Sequence, residues 1–279
     1  MPELAEVEFF RRRWLAGLGE PVLSVECHRQ ARVFRGSAVS DLAASLTRAS
    51  LVSVQAHGKN LLATFSGGQW LGLHLGMTGE LRVEPEGFVS SRHDHLVIHQ
   101  ASRSLVFADS RMFGRVRFDH SPSGPPDWWQ NLPPAVLGPD FTATWVRDQL
   151  ARRAGSPIKA ALLDQSLFPG IGNWMADEIL WRLRRHPSTP VADLDTASLR
   201  SLRQQVRWVA SRALATIGVD WQNPPRSWLY LHRWSADSRC PRPACGTPLR
   251  REKTAGRTTC WCPACQSIPL SVPPSPLQR

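Results

Sequence analysis

Apolar residues recur with two different periods along the chain, and the period changes near residue 120. Between residues 22 and 120, eight short segments alternate apolar with polar side chains, and Gly, Ser, Pro or charged residues separate them. In order, these segments are VLSVECH, LVSVQAHG, NLLATFSG, WLGLHLG, GELRVEP, HDHLVIHQ, SLVFADS and GRVRFDH. Short alternating strands at such regular spacing are typical of an antiparallel sandwich or barrel. The pattern therefore predicts a β-region over residues 22–120.

A helix is predicted in front of this region. Leu4, Val7, Phe10 and Trp14 recur at helical spacing and predict one buried face. Pro2 suits the first turn of such a helix, because its φ is fixed and no amide proton is needed there.

Four further helices are predicted after residue 134. Their segments are TATWVRDQLARRA, SPIKAALLD, NWMADEILWRL and TASLRSLRQQVRWVASRALATIG. In the second segment, Ser156 is the expected N-cap and Pro157 the first helical residue. The last segment is expected to stop at Gly218.

The change of period predicts a multidomain α+β protein. SPSGPPDWWQNLPP is a Pro-rich break and the best candidate for a linker. The predicted parts are an N-terminal β-domain (1–121), the linker (122–134), a helical domain (135–225), a cysteine-rich module (231–266) and a tail (267–279).

The net charge of the chain is +11 and the sequence pI is about 10.5, which bears on the kind of partner the protein binds. Residues 231–279 hold eight Lys and Arg against two acids, a net +6. Such a cluster favours a polyanionic partner, nucleic acid first and an anionic membrane surface second. No apolar run approaches the ~20 residues of a membrane span, and the N-terminus lacks the layout of a secretory signal. We therefore expect a cytoplasmic protein with no membrane partner.

The cysteines predict a metal site. Cys240 and Cys245 are separated by four residues, and Cys262 and Cys265 by two. Two short pairs sixteen residues apart can bring four thiolates to one structural Zn²⁺. Cys260 is excluded from the predicted ligands, because Cys262 makes the tighter pair with Cys265.

Two loop regions have the chemistry of nucleic-acid contacts. The stretch Gly170–Asn173 precedes a predicted helix, where unpaired amides attract anions. Met77, Arg111 and Phe113 are expected in turns between strands. Apolar side chains with a cation on exposed turns are what DNA-kinking proteins insert between base steps, although each apolar residue alone is more often a core residue.

Seven motifs occur in one order: PELAEVE, HGKNLL, HLGMTG, HDH, DSRMFG, LLDQSLFPGIGNWMADEILW and a cysteine hairpin with GRTT. Together they resemble the formamidopyrimidine-DNA glycosylase / endonuclease VIII family of base-excision repair enzymes, from Pro2 to about Gln266. The resemblance implies an N-terminal β-sandwich opened by a helix, a helix–two-turn–helix domain and a C-terminal zinc-finger β-hairpin. It also implies a monomer that acts on double-stranded DNA containing damaged bases or abasic sites.

The resemblance implies a catalytic set. After removal of Met1, Pro2 would attack C1′ of the damaged nucleotide through its secondary amine and form a Schiff base. Glu3 would be the general acid/base beside that amine. Lys59 would lie at the sugar-phosphate of the lesion, and Arg257 would hold a phosphate and assist δ-elimination.

The resemblance also implies DNA contacts. Met77, Arg111 and Phe113 would fill the space left by the extruded base, with Arg111 facing the opposite base, typically cytosine. His93 and Asn173 would contact the DNA, Asn173 through a phosphate.

One segment leaves the substrate open, and two single residues depart from the family or match it weakly. Residues 222–239, which correspond to the segment around the damaged base, match the family poorly. Met112 replaces a common arginine, and Glu178 is a weaker candidate for contact with the everted base. The Arg111/Phe113 pair favours oxidised purines, namely 8-oxoguanine and formamidopyrimidines. The alternatives are an enzyme for oxidised pyrimidines and a non-catalytic zinc-containing protein that binds damaged DNA.

Overall fold

The computed structural model describes residues 1–28, 30–36, 39–235 and 237–269. It divides into two compact units. Unit 1 comprises Met1–Leu132 and Gly218–Trp221, and unit 2 comprises Pro133–Ile217 and the chain from Gln222 onward. The limits predicted for the individual domains stay predictions.

All eight strands predicted for unit 1 are present. They are β1 (Val22–Cys27), β2 (Leu51–His57), β3 (Asn60–Phe65), β4 (Gln69–His74), β5 (Glu80–Pro85), β6 (Asp94–Gln100), β7 (Arg103–Ala108) and β8 (Arg115–His120). They form two antiparallel four-stranded sheets with the orders β1-β6-β7-β5 and β2-β3-β4-β8. The predicted sandwich is therefore confirmed.

One apolar cluster holds unit 1 together. It joins Leu61 of β3 and Leu96 of β6, one from each sheet, with Trp14 of the first helix, and all three are fully buried. Because side chains alternate along a strand, every second residue of β3, β4 and β8 points into this core and the others point to the outer face of the sheet.

The first helix, α1 (Leu4–Trp14), begins after Pro2, which was predicted to lie in its first turn. Glu3 is its N-cap, so Pro2 precedes the helix and does not lie in its first turn. Glu3 and Glu6 form a capping box, in which the backbone N of Glu3 donates to Glu6 Oε2 at 3.1 Å. These bonds satisfy backbone donors that a helix start leaves unpaired. Leu4, expected on the buried face, is partly exposed.

The sequence pattern missed one helix in unit 1. Helix α2 (Val39–Leu46) lies between β1 and β2 and buries Leu42 and Leu46. A short helix with two core residues leaves too weak a period to detect beside eight strands. A further short helix, α3 (Asp127–Gln130), lies within the predicted linker.

Unit 2 contains the four predicted helices, α4 (Ala143–Ala151), α5 (Ile158–Leu163), α6 (Asn173–Arg182) and α7 (Thr196–Ala215). The N-cap of α5 is Pro157, not Ser156. Pro157 is extended because it forms an isolated bridge with Pro190, and the next amide, of Ile158, donates to Thr189 O at 2.8 Å. Helix α7 ends at Ala215, before Gly218, and a short helix, α8 (Ile217–Asp220), follows.

The last two strands in the described residues, β9 (Arg250–Thr254) and β10 (Arg257–Trp261), form a hairpin. Ala255 and Gly256 connect the strands, and both have positive φ, +50° and +72°. Two positive φ values are the requirement of a type I′ hairpin turn, which matches the twist of the strands. The segment before the hairpin is irregular as predicted, apart from one turn of 3-10 helix at Leu229–His232.

No helix in the described ranges is long and apolar enough to cross a bilayer. Residues 270–279, most of the predicted tail, lie outside the described residues.

Candidate functional site

The N-terminus of unit 1 carries the predicted nucleophile and acid/base in sequence. Pro2 is partly exposed, whereas Glu3 is only 2% exposed and its carboxylate takes part in the capping box. Glu3 therefore has a fixed position at the start of α1, directly after Pro2 in the chain.

Lys59 is the second residue of the two-residue turn between β2 and β3. His57 pairs with Asn60 across this turn, and Gly58 has a φ of +60°. Glycine at the first central position is the pattern of a type II′ turn, so Gly58 is required by the backbone. Lys59 is largely buried. Burial and then the positive charge of Lys59 lower the pKa of His74 on β4.

A buried carboxylate organises the two loops that carry the predicted base-step insertion. Asp109 is fully buried and accepts the hydroxyl of Thr78 at 2.6 Å. It also accepts the backbone N–H groups of Arg111 at 3.2 Å and Gly114 at 2.6 Å. The β4–β5 turn and the β7–β8 loop are thus tied to one residue. A Cβ on Gly76 would lie 2.5 Å from Gly114 N and from Phe113 C, which shows how closely the two loops approach.

Four predicted residues lie on these two loops or next to them. Phe113 is 46% exposed, and the Arg111 guanidinium lies 4.8 Å from the centre of its ring. Met77 is partly exposed in the neighbouring turn. His93 is exposed, and its carbonyl accepts the N–H of Asp109 at 3.1 Å. The loops therefore present a cation and two apolar side chains on a fixed backbone.

Met112, which lies between Arg111 and Phe113 in the chain, faces the core of unit 1. It has a φ of +53° and packs against the core of unit 1. The residue in place of the family's common arginine is therefore part of the core.

In unit 2 the structure brings Asn173 next to the strand that begins at Arg257. Asn173 is the first residue of α6, and its Nδ2 donates to the carbonyl of Thr258 at 2.9 Å. The loop before it is held by Gln165, which accepts from Gly170 N and donates to Ile171 O.

A buried ionic network fixes this hairpin on α6. Lys159 Nζ lies 2.5 Å from Asp177 Oδ1 and 2.7 Å from Thr259 Oγ1, and both charged side chains are fully buried. Asp177 Oδ2 accepts from Arg233 Nη2 at 2.7 Å and from the backbone N of Cys260 at 3.1 Å. One carboxylate therefore joins α5, α6, the irregular segment and β10.

The carboxylate of Glu178 lies in the protein interior and makes its contacts there. It is fully buried, lies 2.7 Å from Arg182 and accepts the backbone N–H of Tyr230 at 3.1 Å. Burial raises its pKa to about 7. The weaker expectation that Glu178 contacts an everted base does not fit this position, because its carboxylate holds the Leu229–His232 turn.

The four predicted metal ligands converge. Their Sγ atoms all lie within 4.8 Å of one another, and neighbouring Sγ atoms are 3.6 to 3.9 Å apart. A tetrahedral ion with Zn–S bonds of about 2.3 Å requires sulfurs roughly 3.8 Å apart. The residues Cys240, Cys245, Cys262 and Cys265 therefore fit a structural Zn²⁺.

The longer first cysteine pair is closed by two residues with positive φ, Ala244 at +61° and Gly246 at +57°. Hydrogen bonds with the side chain and backbone of Thr247 lower the pKa of Cys245 to about 6. Burial raises the pKa of Cys262 to about 12, so metal uptake must release its proton. The Trp181 indole N–H donates to Cys240 Sγ at 3.2 Å and links the site to α6.

Comparisons with known proteins agree with this geometry. Family models match along the chain: the formamidopyrimidine-DNA glycosylase N-terminal domain at residues 1–116 and its H2TH domain at 132–222. A third, the zinc finger found in FPG and IleRS, matches residues 237–268. The formamidopyrimidine-DNA glycosylase of Thermobifida fusca is 32% identical over 293 residues, which cover 96% of this chain and 98% of that protein.

The chain belongs to the formamidopyrimidine-DNA glycosylase family.

Two solved structures of the family member from Lactococcus lactis show the same fold. One is bound non-covalently to DNA containing an abasic site, with a TM-score of 0.83 and 26% identity over 95% of this chain and all of that one. The other is bound to DNA containing an oxidised pyrimidine, with a TM-score of 0.84 and 27% identity over 96% of this chain and all of that one.

Sequence reasoning missed the residues that hold the site in place. Asp109 stands directly after β7, inside a motif that was noticed only for its arginine and phenylalanine. Lys159 and Asp177 stand in otherwise apolar helical segments, IKAALL and WMADEIL. A charged residue on the apolar face of a predicted helix indicates a buried ion pair, but the partner of that residue cannot be identified without the fold.

The cysteine assignment predicts opposite effects for two neighbouring substitutions. We expect Cys262→Ser to lose the Zn²⁺, because three thiolates remain, and to unfold the hairpin that carries Arg257. We expect Cys260→Ser to retain about one Zn²⁺ per chain. Zinc content after gel filtration measures both, and loss of zinc from the Cys260 variant alone would contradict the assignment.

The ionic network predicts a large cost for Asp177→Asn. This change leaves Lys159 and Arg233 buried beside a neutral partner, so we expect a loss of about 3–5 kcal/mol in the free energy of unfolding. The control is Asp148→Asn, whose exposed pair with Arg147 should contribute less than about 1 kcal/mol. Urea denaturation measures the unfolding free energy of both variants. Equal unfolding midpoints for Asp177→Asn and Asp148→Asn would show that the network does not stabilise the protein.

Proposed function

We propose that this chain is a bifunctional DNA glycosylase and AP lyase whose nucleophile is the secondary amine of Pro2. The observation that carries the proposal is the family match along nearly the whole chain, together with Pro2 at its second position and Glu3 held beside it. The substrate is double-stranded DNA that contains a damaged base or an abasic site, and the protein acts as a monomer in the cytoplasm.

The reaction requires prior removal of Met1, which frees the amine. An α-amino group titrates near ~8, so a useful fraction is neutral at cellular pH. The lone pair of Pro2 forms a bond to C1′, the bond from C1′ to the base breaks, and the base departs with the electron pair and a proton. Opening of the sugar then yields the Schiff base. Glu3 supplies and accepts protons in these steps.

Strand cleavage follows from the same intermediate. The Schiff base makes a C2′ proton acidic, and its loss expels the 3′ phosphate by β-elimination. A second elimination expels the 5′ phosphate, and water releases the amine of Pro2. Lys59, Asn173 and Arg257 are proposed to hold the phosphates during these steps. Charge-assisted contacts of this kind are stronger than neutral ones.

The base-step insertion is assigned to Met77, Arg111 and Phe113. The geometry around Asp109 supports it, because an inserted side chain must be presented by a fixed backbone to displace a stacked base. Arg111 is proposed to face the opposite base, and His93 to contact the DNA nearby.

The proposed lesions are 8-oxoguanine and formamidopyrimidines. Oxidised pyrimidines are the second candidate, and the Lactococcus lactis protein bound to DNA with an oxidised pyrimidine favours it. A non-catalytic protein that binds damaged DNA has no use for a free N-terminal imino group, and this disfavours the third possibility.

Borohydride trapping tests the nucleophile. We expect the protein with a free Pro2 to form a covalent adduct with an abasic oligonucleotide, because borohydride reduces the Schiff base. Residues added before Pro2 should abolish the adduct and leave duplex binding intact. The same tag at the C-terminus is the matched control and should trap normally. An adduct with the N-terminally extended protein would refute the role of Pro2.

A panel of lesions tests the substrate. Single-turnover nicking is measured on duplexes with 8-oxoguanine, formamidopyrimidine, thymine glycol or dihydrouracil opposite the same base. We expect the two purine lesions to react at least about tenfold faster, a difference within reach of pocket contacts. Faster cleavage of thymine glycol and dihydrouracil would favour the second candidate instead.

A further inference from the structure

Two neighbouring carboxylates of α6 hold the two ends of one turn in unit 2. The turn is the short 3-10 helix Leu229–His232. Glu178 accepts the backbone N–H of Tyr230 at 3.1 Å, near the start of the turn. Asp177 accepts from Arg233 Nη2 at 2.7 Å, directly after the turn. Both acidic side chains are fully buried, so the turn is fixed on α6 at each end.

The two carboxylates differ in the number of cations beside them. Asp177 lies between Lys159 and Arg233. Glu178 forms one ion pair within the described residues, with Arg182 at 2.7 Å. Burial raises the pKa of Glu178 to about 7, although the charge of Arg182 acts to lower it. The start of the turn is therefore held by a carboxylate whose ionisation changes near neutral pH.

Aromatic rings enclose the guanidinium group of Arg182. Its central carbon lies 4.0 Å from the centre of the Trp208 ring and 4.8 Å from that of Trp228. The neighbouring Trp181 ring lies at 5.7 Å, and all three are cation–π distances. Trp181 and Trp228 are buried, whereas Trp208 is 37% exposed and forms the solvent side of the enclosure. A guanidinium group is weakly hydrated and stacks on aromatic faces, so the rings hold it beside Glu178.

The other charged groups around this ion pair are cations. Arg242 and Arg212 each lie beside one of the enclosing rings, 4.6 and 5.9 Å from its centre. Burial lowers the pKa of Arg182, Glu178 opposes this effect, and the charge of Arg242 adds to it. Positive charge nearby favours the ionised form of a carboxylate. Among the described residues, however, the cation that contacts Glu178 is Arg182.

The turn places aromatic side chains next to the start of α6. The Tyr230 ring lies 4.8 Å from that of Trp174, which follows Asn173 in the chain. It also lies 6.3 Å from the ring of Trp234, which is 64% exposed. The other titratable side chain of the turn, His232, bonds through Nε2 to a backbone carbonyl at 2.9 Å. A shift of the turn would therefore move the aromatic residues that pack beside Asn173.

We propose that Arg182, enclosed by Trp208 and Trp228, is a positioning residue that keeps Glu178 ionised, and that protonation of Glu178 releases the Leu229–His232 turn and weakens DNA binding. An ionised carboxylate accepts a stronger hydrogen bond from an N–H group than a neutral one does. Since the pKa of Glu178 is raised to about 7, the turn is anchored above that pH and released as the pH falls below it. Only the last step, DNA binding, rests on the proposed function.

Tyr230 is the only tyrosine of the chain, which permits a direct test. Zinc-loaded protein labelled with ¹⁵N-tyrosine gives one backbone amide signal, and this amide is the donor to Glu178. We expect its proton chemical shift to titrate with a midpoint of about 7 in the wild type and not to titrate in Glu178→Gln. Arg182→Gln should raise the midpoint by at least about 1 pH unit, because it removes the opposite charge. The matched control, Arg147→Gln, removes an exposed arginine of α4 and should keep the wild-type midpoint.

Hydrogen exchange of the same amide tests the enclosure. At pH 7.5 we expect Trp208→Leu to reduce the protection of this amide by about tenfold, which corresponds to the loss of one hydrogen bond to a charged group. Trp208→Phe should retain the protection, because an aromatic face remains. Trp208→Leu should have no further effect on a protein that already carries Arg182→Gln. Trp145→Leu, a change of a partly buried tryptophan on α4, is the control and should leave the protection unchanged.

The step to DNA is measured separately. Affinity for a duplex with a tetrahydrofuran abasic analogue is determined by fluorescence anisotropy at pH 8. We expect Arg182→Gln to weaken binding at least about twofold, because a smaller fraction of the protein has the competent conformation. It should cause no further loss in a protein that already carries Glu178→Gln. An arginine in direct contact with DNA would instead weaken binding in both backgrounds.

Two outcomes would overturn the proposal. One is a Tyr230 amide that titrates alike in the wild type and in Glu178→Gln. The other is an equal loss of DNA affinity on Arg182→Gln with and without Glu178→Gln. Thermal unfolding identifies variants that do not fold, and if Arg182→Gln is among them, Trp208→Leu carries the test. Borohydride trapping keeps the proposed function separate: a protein that titrates as expected but does not trap abasic DNA refutes the catalytic proposal and leaves the anchor of the turn intact.

Discussion

The arrangement of Asn173 and Arg257 in unit 2 depends on the contacts of one buried carboxylate, both oxygens of which accept hydrogen bonds. Asp177 is fully buried between Lys159 and Arg233, and it also accepts the backbone N–H of Cys260. A charge in that position is tolerated only with such complete pairing, because an isolated one would be desolvated at great cost. The pairing in turn specifies one arrangement of α5, α6 and the hairpin. Asn173 lies at the start of α6 and Arg257 at the start of β10, so this arrangement sets the positions of both residues.

Unit 1 uses the same principle on a smaller scale. Asp109 forms no ion pair within the described residues, and its oxygens accept from Thr78, Arg111 and Gly114. Hydrogen bonds to the charged form replace the lost hydration. Both loops, with their exposed side chains, are therefore held by hydrogen bonds to the same buried residue. In each unit, a buried acidic residue fixes the backbone that carries exposed side chains: Asp109 does so in unit 1 and Asp177 in unit 2.

The strands and helices were predictable because burial imposes a period on the sequence. Period-2 segments identified all eight strands of the sandwich, and helical spacing identified four helices of unit 2. The errors occurred where tertiary contacts decide the backbone. Pro157 became an N-cap because it pairs with Pro190, and the Asp127–Gln130 helix packs on the sheet although its composition is that of a linker. Helix α2 was missed because two core residues are too few to establish a period.

The amino-acid order alone determined the sandwich strands, the four-cysteine zinc site and the family, because each depends on residue type at a local or repeated spacing. Only the tertiary structure decided that Asp109 supports the loops of Thr78 and Gly114, that Glu178 makes its contacts inside the protein, and that the Arg117 guanidinium lies over the Trp128 ring. Thr78 and Asp109 are 31 positions apart, Glu178 and Tyr230 are 52 apart, and Arg117 and Trp128 are 11 apart, with no repeat to mark these contacts. They exist because chain folding brings together buried charges and aromatic faces that each need a partner.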